Sequence, residues 1–248
     1  MTPLQSCCEI IAIHGSASSS KQWQSLQVSA GLNARVQAPN IPDSDAETRL
    51  SVVLDSIANS AAPVHLVAHS FGSSIAMKAA NAVPANVASV TLYDPVVSVQ
   101  YSDRISAPSA LRDISWLMRM VGPHDGMALF LDYWAGEGSW ANSSARRKEA
   151  IVLRFGSVLR DFDQLEAGAW EPAKRSYEGP LTILRGSRSP AVIQETSRHL
   201  QAIYPRAWSY AAEDLDHMTP MTKPGMTDAL FLDSIAAQTT IFTTPVAA

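Results

Sequence analysis

The sequence predicts an α/β protein with a mostly parallel sheet of about six strands, helices on both faces and one helical insertion. Three observations carry this reading. Short β-branched runs alternate with longer helical patterns over most of the chain, the alternation breaks between residues 100 and 176, and a small-x-Ser-x-Gly stretch joins a strand directly to a helix. Alternating strands and helices imply parallel pairing, because each crossover lays its helix on a face of the sheet. The 248 residues fit one domain with an insertion, long enough to bury roughly 70–75% of the surface exposed on unfolding.

The elements follow in order. Ile10, Ile11, Ala12 and Ile13 read as a buried strand ending at Gly15, and 35–38 as a short strand stopped by Pro39. Residues 45–59 are helical in pattern, with Leu50, Val53, Leu54 and Ile57 at i, i+3, i+4 and i+7. A strand at 64–68, a helix at 71–82 and a strand at 87–93 ended by Asp94-Pro95 come next. After the insertion the alternation resumes with a strand at 181–184, a helix at 191–203, a strand at 208–211 and a final helix at 227–238. Inside the insertion there is no convincing strand. Leu111, Ile114, Met118 and Val121 recur at helical spacing, a second pattern spans 127–134, and a third spans 143–165 with a break at Gly156. Trp116, Trp134, Trp140 and Trp170, four of six tryptophans, lie there. The domain reading is therefore a core of 1–99 and 177–248, with 100–176 as a helical lid over the C-terminal edge of the sheet.

Composition excludes several classes. Charged residues at 17% and hydrophobic residues at 46% describe a compact domain, not a disordered chain. A net charge of -4 argues against a nucleic-acid partner, since phosphates call for a basic face. The one dense basic run, Arg146-Arg147-Lys148, reads as a solvated helix face. Apolar runs of a few residues are far short of the ~20 a bilayer needs, so no membrane span is expected. Residues 1–13 lack the charged and apolar regions of a secretory signal. Cys7 and Cys8 are adjacent and would bridge each other only with strain, which points to a reduced, cytoplasmic protein. No 20–50-residue repeat, spaced metal-ligand cluster or G-x-G-x-x-G is present, so neither a metal nor a cofactor is expected.

The stretch Val64-His65-Leu66-Val67-Ala68-His69-Ser70-Phe71-Gly72 is the most informative. A tight turn centred on Ser70 passes from strand to helix, with small residues at 68 and 72 where the two elements nearly touch. A hydroxyl held there stands clear of the sheet at the positive end of a helix, where an oxyanion is stabilised. Alone the pattern also fits an ordinary strand-to-helix turn. Context adds to it: His14-Gly15-Ser16-Ala17 supplies backbone N–H groups after the first strand, as Phe71 does after Ser70. His217, between the last strand and last helix, falls at the same edge.

With His14-Gly15, Ala68-His69-Ser70-Phe71-Gly72, Asp94-Pro95, the Gly186 turn and Asp216-His217 in this order, the sequence resembles the α/β-hydrolase fold superfamily, in its lidded, esterase-like branch. The lid stretch 132–140 is also similar to one in a bacterial subset of that superfamily. The resemblance covers nearly the whole chain and implies Ser70 as nucleophile, His217 as general base, and the N–H groups of Ser16 and Phe71 as oxyanion hole. Two departures stand out. Only nine residues precede Ile10, so the antiparallel strands that often come first are reduced or absent and the sheet is smaller than the usual eight strands. The acid of the family usually lies three residues after the glycine that ends the strand at 181–184, and Ser189 stands there. A triad still needs a carboxylate to orient and stabilise the imidazolium. Asp94 at the end of the neighbouring strand is the candidate, and an Asx-Pro turn is its other reading. Asp214 and Asp216 are alternatives so near His217 that they read as shaping its loop, and a Ser-His pair working with water or a serine is the remaining arrangement.

His69, beside Ser70, either lines the pocket or is covered; Trp134 and Trp140 are pocket candidates from the lid. His65 reads as packed or paired within its strand, and His124 and His199 as surface groups. The expected function is a serine hydrolase cleaving a small, largely apolar ester or related acyl compound, with a small-molecule substrate as its only implied partner and no oligomeric state indicated. Serine at 70 argues against the aspartate-nucleophile chemistry of dehalogenases and epoxide hydrolases. Rival readings are a slow-turnover ligand receptor or signalling protein of the same fold, and a cofactor-free C–C hydrolase or oxygenase.

Overall fold

The structure, a computed structural model, describes residues 8–32, 34–101, 104–171 and 175–243. Cys7 lies outside the described residues, as do 102–103 and 172–174 near the two ends of the expected insertion. β1 (Cys8–Ile13), α1 (Gln24–Ala30), β2 (Ala34–Gln37), α2 (Ala46–Ala58), β3 (Val64–His69), α3 (Gly72–Ala82) and β4 (Val87–Tyr93) form the first half. β5 (Val99–Gln100), β6 (Ile105–Ser106), α4 (Ser109–Ala135), α5 (Ala145–Val152) and α6 (Phe155–Glu166) follow. β7 (Leu181–Gly186), α7 (Ala191–Ile203), β8 (Trp208–Ala212), α8 (Thr219–Thr222) and α9 (Pro224–Thr243) complete the chain. Six strands make one parallel sheet in the order β2-β1-β3-β4-β7-β8.

Period-two alternation divides this sheet between two cores. Ile11, Ile13, Leu66, Ala68, Leu92 and Ile183 point to one face, where Val53, Ile75 and Ile193 of α2, α3 and α7 cover them. Ile10, Ala12, Val67, Tyr93 and Leu184 point to the other, against Leu26 of α1 and Phe231, Leu232 and Ile235 of α9. Because strands with both faces covered favour apolar residues at successive positions, β1 carries the run Ile10-Ile11-Ala12-Ile13 and β3 the run Leu66-Val67-Ala68. β1 sits between β2 and β3, so the chain leaves it in one direction along the sheet and returns in the other. Such a switch point opens a crevice at the carboxyl ends of the strands, where ligands bind.

Differences from the sequence reading are local. The antiparallel pair β5–β6 was not expected; two residues per strand leave no periodicity to detect. Neither was α1, whose seven residues bury only Leu26 and Ala30. The two helical patterns at 111–134 form one element broken at Gly122, whose φ of 82° and the following Pro123 interrupt the hydrogen-bond ladder. The break expected at Gly156 falls instead at Leu153–Arg154, between α5 and α6, and Gly156 is helical. There the Leu153 N–H still bonds back to Glu149, closing α5, and Val158 N–H to Arg154 opens α6. Trp116 is exposed, whereas Trp134 and Trp170 are buried. Among the described residues no helix is long and apolar enough to cross a membrane.

Candidate active site

Ser70 follows β3 and precedes α3 with φ of 54°, a left-handed conformation that a side chain adopts only when its surroundings hold it there. Three backbone bonds do so. Its N–H donates to the Tyr93 carbonyl at 3.1 Å, and its own carbonyl accepts from Ser73 N–H at 2.9 Å and Val96 N–H at 3.1 Å. Gly72 explains the small residue at that position, because a Cβ there would lie 2.6 Å from the His14 carbonyl oxygen. A Cβ on Gly15 would lie 3.0 Å from the Ser70 Cβ, so the loop after β1 closes directly on the serine.

His217, on the connection between β8 and α8, brings Nε2 to 3.0 Å from Ser70 Oγ. Its Nδ1 lies 3.1 Å from Asp94 Oδ2. Asp94 is fully buried and its carboxylate is satisfied on all sides. Oδ1 accepts the Gly186 N–H at 2.8 Å, and Oδ2 also accepts the Ser189 hydroxyl at 2.5 Å. Ser189, which stands where the family usually has its acid, thus donates to the carboxylate that stands one strand away. Asp216 is engaged in a turn, its Oδ1 accepting Met218 N–H at 3.0 Å and the Thr219 hydroxyl at 3.1 Å. Asp214 is exposed and its backbone is held by the side chains of Ser187 and Arg188. Both shape the His217 loop.

His69 is covered, and it also borders the cavity. Its Nε2–H donates to the His217 carbonyl at 2.9 Å, pinning the loop that carries the imidazole, and burial holds its pKa well below the usual range, with the nearby His217 acting in the same direction. His14 is lowered as well, first by burial, while its bond to the Gly15 carbonyl opposes. Ser16 lines the same cavity as Ser70 and Phe71 follows Ser70 in the chain, and among the described residues neither backbone N–H donates to a backbone carbonyl. Burial pushes the Asp161 carboxyl of α6 up, while Arg49 and the nearby Ser16 side chain oppose; Asp161 is paired with the buried Arg49 of α2. Arg49 in turn lies over the Phe71 ring, 5.6 Å from its centroid.

A cavity of about 210 Å³ opens onto Ser70 and His217. Trp134 of α4 forms its wall, stacked on the His217 ring at a centroid distance of 4.0 Å. Phe130, Leu131, Ile151 and Met221 line the rest. Trp140 is a correction: it does not line this cavity. Its ring lies beneath Lys148 at 5.5 Å and edge-on to His124 at 5.1 Å, and its backbone N–H donates to the Asp132 carboxylate at 2.7 Å. Arg147, read from sequence as part of a solvated face, borders the cavity from α5; only its spacing of four from the apolar Ile151 could have singled it out. Among the described residues no cluster of three or more His, Cys, Asp or Glu side chains could hold a metal ion. A hydroxyl paired to an imidazole, with a buried carboxylate behind and free amides beside it, can perform nucleophilic acyl transfer.

A model of the alpha/beta hydrolase family matches residues 10–227. Among solved structures the chain is similar to a membrane phospholipase A, a bacterial virulence factor, at 18% identity and a TM-score of 0.71, covering 93% of this chain and 79% of that one. A hydrolase from Oleispira antarctica is similar at 15% identity and a TM-score of 0.68, covering 94% and 92%. The enol-lactonase from Burkholderia xenovorans is similar at 13% identity and a TM-score of 0.63, covering 94% and 92%. No curated protein matches the sequence.

Proposed function

The chain belongs to the alpha/beta hydrolase family and is an enzyme of that family, and from this footing we propose that it is a serine hydrolase cleaving a small, largely apolar ester or related acyl compound. The observation that carries the reading is the continuous chain from Ser70 Oγ to His217 at 3.0 Å and from His217 to Asp94 at 3.1 Å, on a serine of positive φ. Ser70 Oγ attacks the carbonyl carbon while His217 Nε2 takes its proton, and Asp94 holds the imidazolium by its Nδ1–H. The tetrahedral oxyanion lies against the N–H groups of Ser16 and Phe71. His217 returns the proton to the departing alcohol, leaving an acyl group on Ser70. A water then gives its proton to His217, attacks the acyl carbon and releases the acid, and Ser70 Oγ recovers its hydrogen.

The apolar wall and a volume below the ~300–1,000 Å³ of drug-sized sites favour a small substrate. We read the helical segment around α4, α5 and α6 as a lid, on the stacking of Trp134 over His217, and the compartment as cytoplasmic, on the adjacent Cys7 and Cys8. A fluorophosphonate probe tests the central claim. It should label the wild type on Ser70 and leave Ser70→Ala unlabelled and inactive on p-nitrophenyl esters. Labelling elsewhere, with hydrolysis retained in Ser70→Ala, would overturn it.

A further inference from the structure

We propose that the substrate carries a carboxylate at the end remote from the scissile bond, and that Arg147 is its binding residue. This rests on the acyl-transfer reading of the same cavity and adds the substrate's charge to it.

Arg147 and Ile151 are one turn apart on α5, so they share a helix face, and both border the cavity that opens onto Ser70 and His217. Arg147 is exposed, which puts it at the solvent end, while Ser70 and His217 are buried. Among the described residues it is the one aspartate-, glutamate-, lysine- or arginine-type side chain on a lining that is otherwise apolar or neutral, and no carboxylate of theirs borders the cavity. Among the described residues its guanidinium has no ion pair. A largely apolar pocket with its reacting groups at the inner end and a single cation at the outer end selects by that cation, because the few polar groups of a small-molecule site fix the ligand's orientation.

Arg147 also sits in a mostly basic stretch of the chain. From 146 to 154 the chain carries Arg146, Arg147, Lys148 and Arg154 against Glu149 alone, in a protein whose net charge is -4. Lys148 is turned aside over Trp140, which leaves Arg147 as the group that reaches the lining. A guanidinium fork matches a planar carboxylate with two parallel hydrogen bonds. A phosphate dianion would call for further donors, and among the described residues no second lysine or arginine lines the cavity. The anion at the mouth and the acyl carbon at Ser70 then place the substrate end-on, with its methylenes along Phe130, Leu131 and Trp134.

The test compares monomethyl succinate, glutarate and adipate with neutral methyl esters in which an isopropyl group replaces the carboxylate. The wild type should favour at least one anionic ester by about tenfold or more in kcat/KM, the scale of a charge-assisted hydrogen bond at a partly open site. Arg147→Gln should lower that ratio about tenfold, through KM, and added salt should lower it in the wild type. Arg146→Gln, on the adjoining face, should keep it. A reading without turnover uses Ser70→Ala: glutarate or adipate should change its tryptophan fluorescence saturably, and Arg147→Gln in that background should abolish the change. Preference for the neutral esters, or a ratio and fluorescence response untouched by Arg147→Gln, would overturn the inference. Failure of the fluorophosphonate to label Ser70 would instead overturn the acyl-transfer reading, and the two failures are separately visible.

Discussion

At the scale of single residues, the interest lies in how Asp94 and Ser189 divide a task. Loss of the carboxylate should leave His217 without an anchor for its Nδ1 tautomer. Asp94→Asn is therefore expected to lower kcat on a p-nitrophenyl ester by at least about a hundredfold while the far-UV spectrum stays native; near-wild-type rates would remove Asp94 from the mechanism. Ser189→Ala leaves the Gly186 N–H on the carboxylate but deletes a 2.5 Å charge-assisted bond. A loss of up to about tenfold in kcat is expected, less than for Asp94→Asn. Ser70 and Asp94 were legible because each directly follows the last residue of a strand, and His217 because it lies in the connection after β8; parallel strands bring such positions to one edge. The donation from Ser189 was not legible, since it depends on a turn geometry that spacing does not report. That Arg147, on the exposed face the sequence predicts, also borders the cavity, and that Trp140 does not, was not legible for a related reason: on a short helix and its approach, which side faces the cavity is set by tertiary contacts.

Among elements, β3 couples the site to acidity. Burial pushes His65, paired to Ser89 Oγ at 2.7 Å, down to about 4 from an ordinary 6.5. The unfolded chain binds the extra proton throughout that window, so stability falls as pH falls from about 6.5 towards 4, by about 1.4 kcal/mol per pH unit for this group. The depressed His14 and His69 add to the same slope. Urea midpoints should drop between pH 7 and pH 5, and His65→Gln should flatten the slope; identical midpoints in the wild type at both pH values would contradict it. The joint between α2 and α6 rests on Arg49 and Asp161. Asp161→Asn leaves the buried Arg49 guanidinium with Asp43, at 3.2 Å, as its remaining carboxylate, and a loss of about 1–3 kcal/mol is expected in the same denaturation experiment. Long elements with strict periodicity, such as α7, were legible to the residue. α1, β5 and β6 were not, because they are too short for a period and are held by neighbours rather than by their own pattern.

Over the whole molecule, order should be graded from the sheet outward. β1 and β3 are buried along their inner residues, whereas α5 buries none of its residues fully. In hydrogen exchange, amides of 64–69 should open only with global unfolding, and those of 145–152 should exchange orders of magnitude faster; equal protection would mean that α5 is fixed by more than the contacts it makes. The class of the molecule was legible because strand-helix alternation constrains topology strongly, leaving only the order of strands to be seen. That order has a consequence of its own. β4 and β7 are neighbours, in register from Val90 with Leu181 to Tyr93 with Leu184, so the turn bearing Asp94 and the turn bearing Ser189 face each other across one strand spacing. A negative charge could change hands between them without any shift of register. Ser189→Asp alone would set two carboxylates against each other, and they would have to share a proton. Combined with Asp94→Asn, the same exchange would relocate the charge to the neighbouring strand, and a lineage could cross from one arrangement to the other through a carboxylate pair held half-protonated.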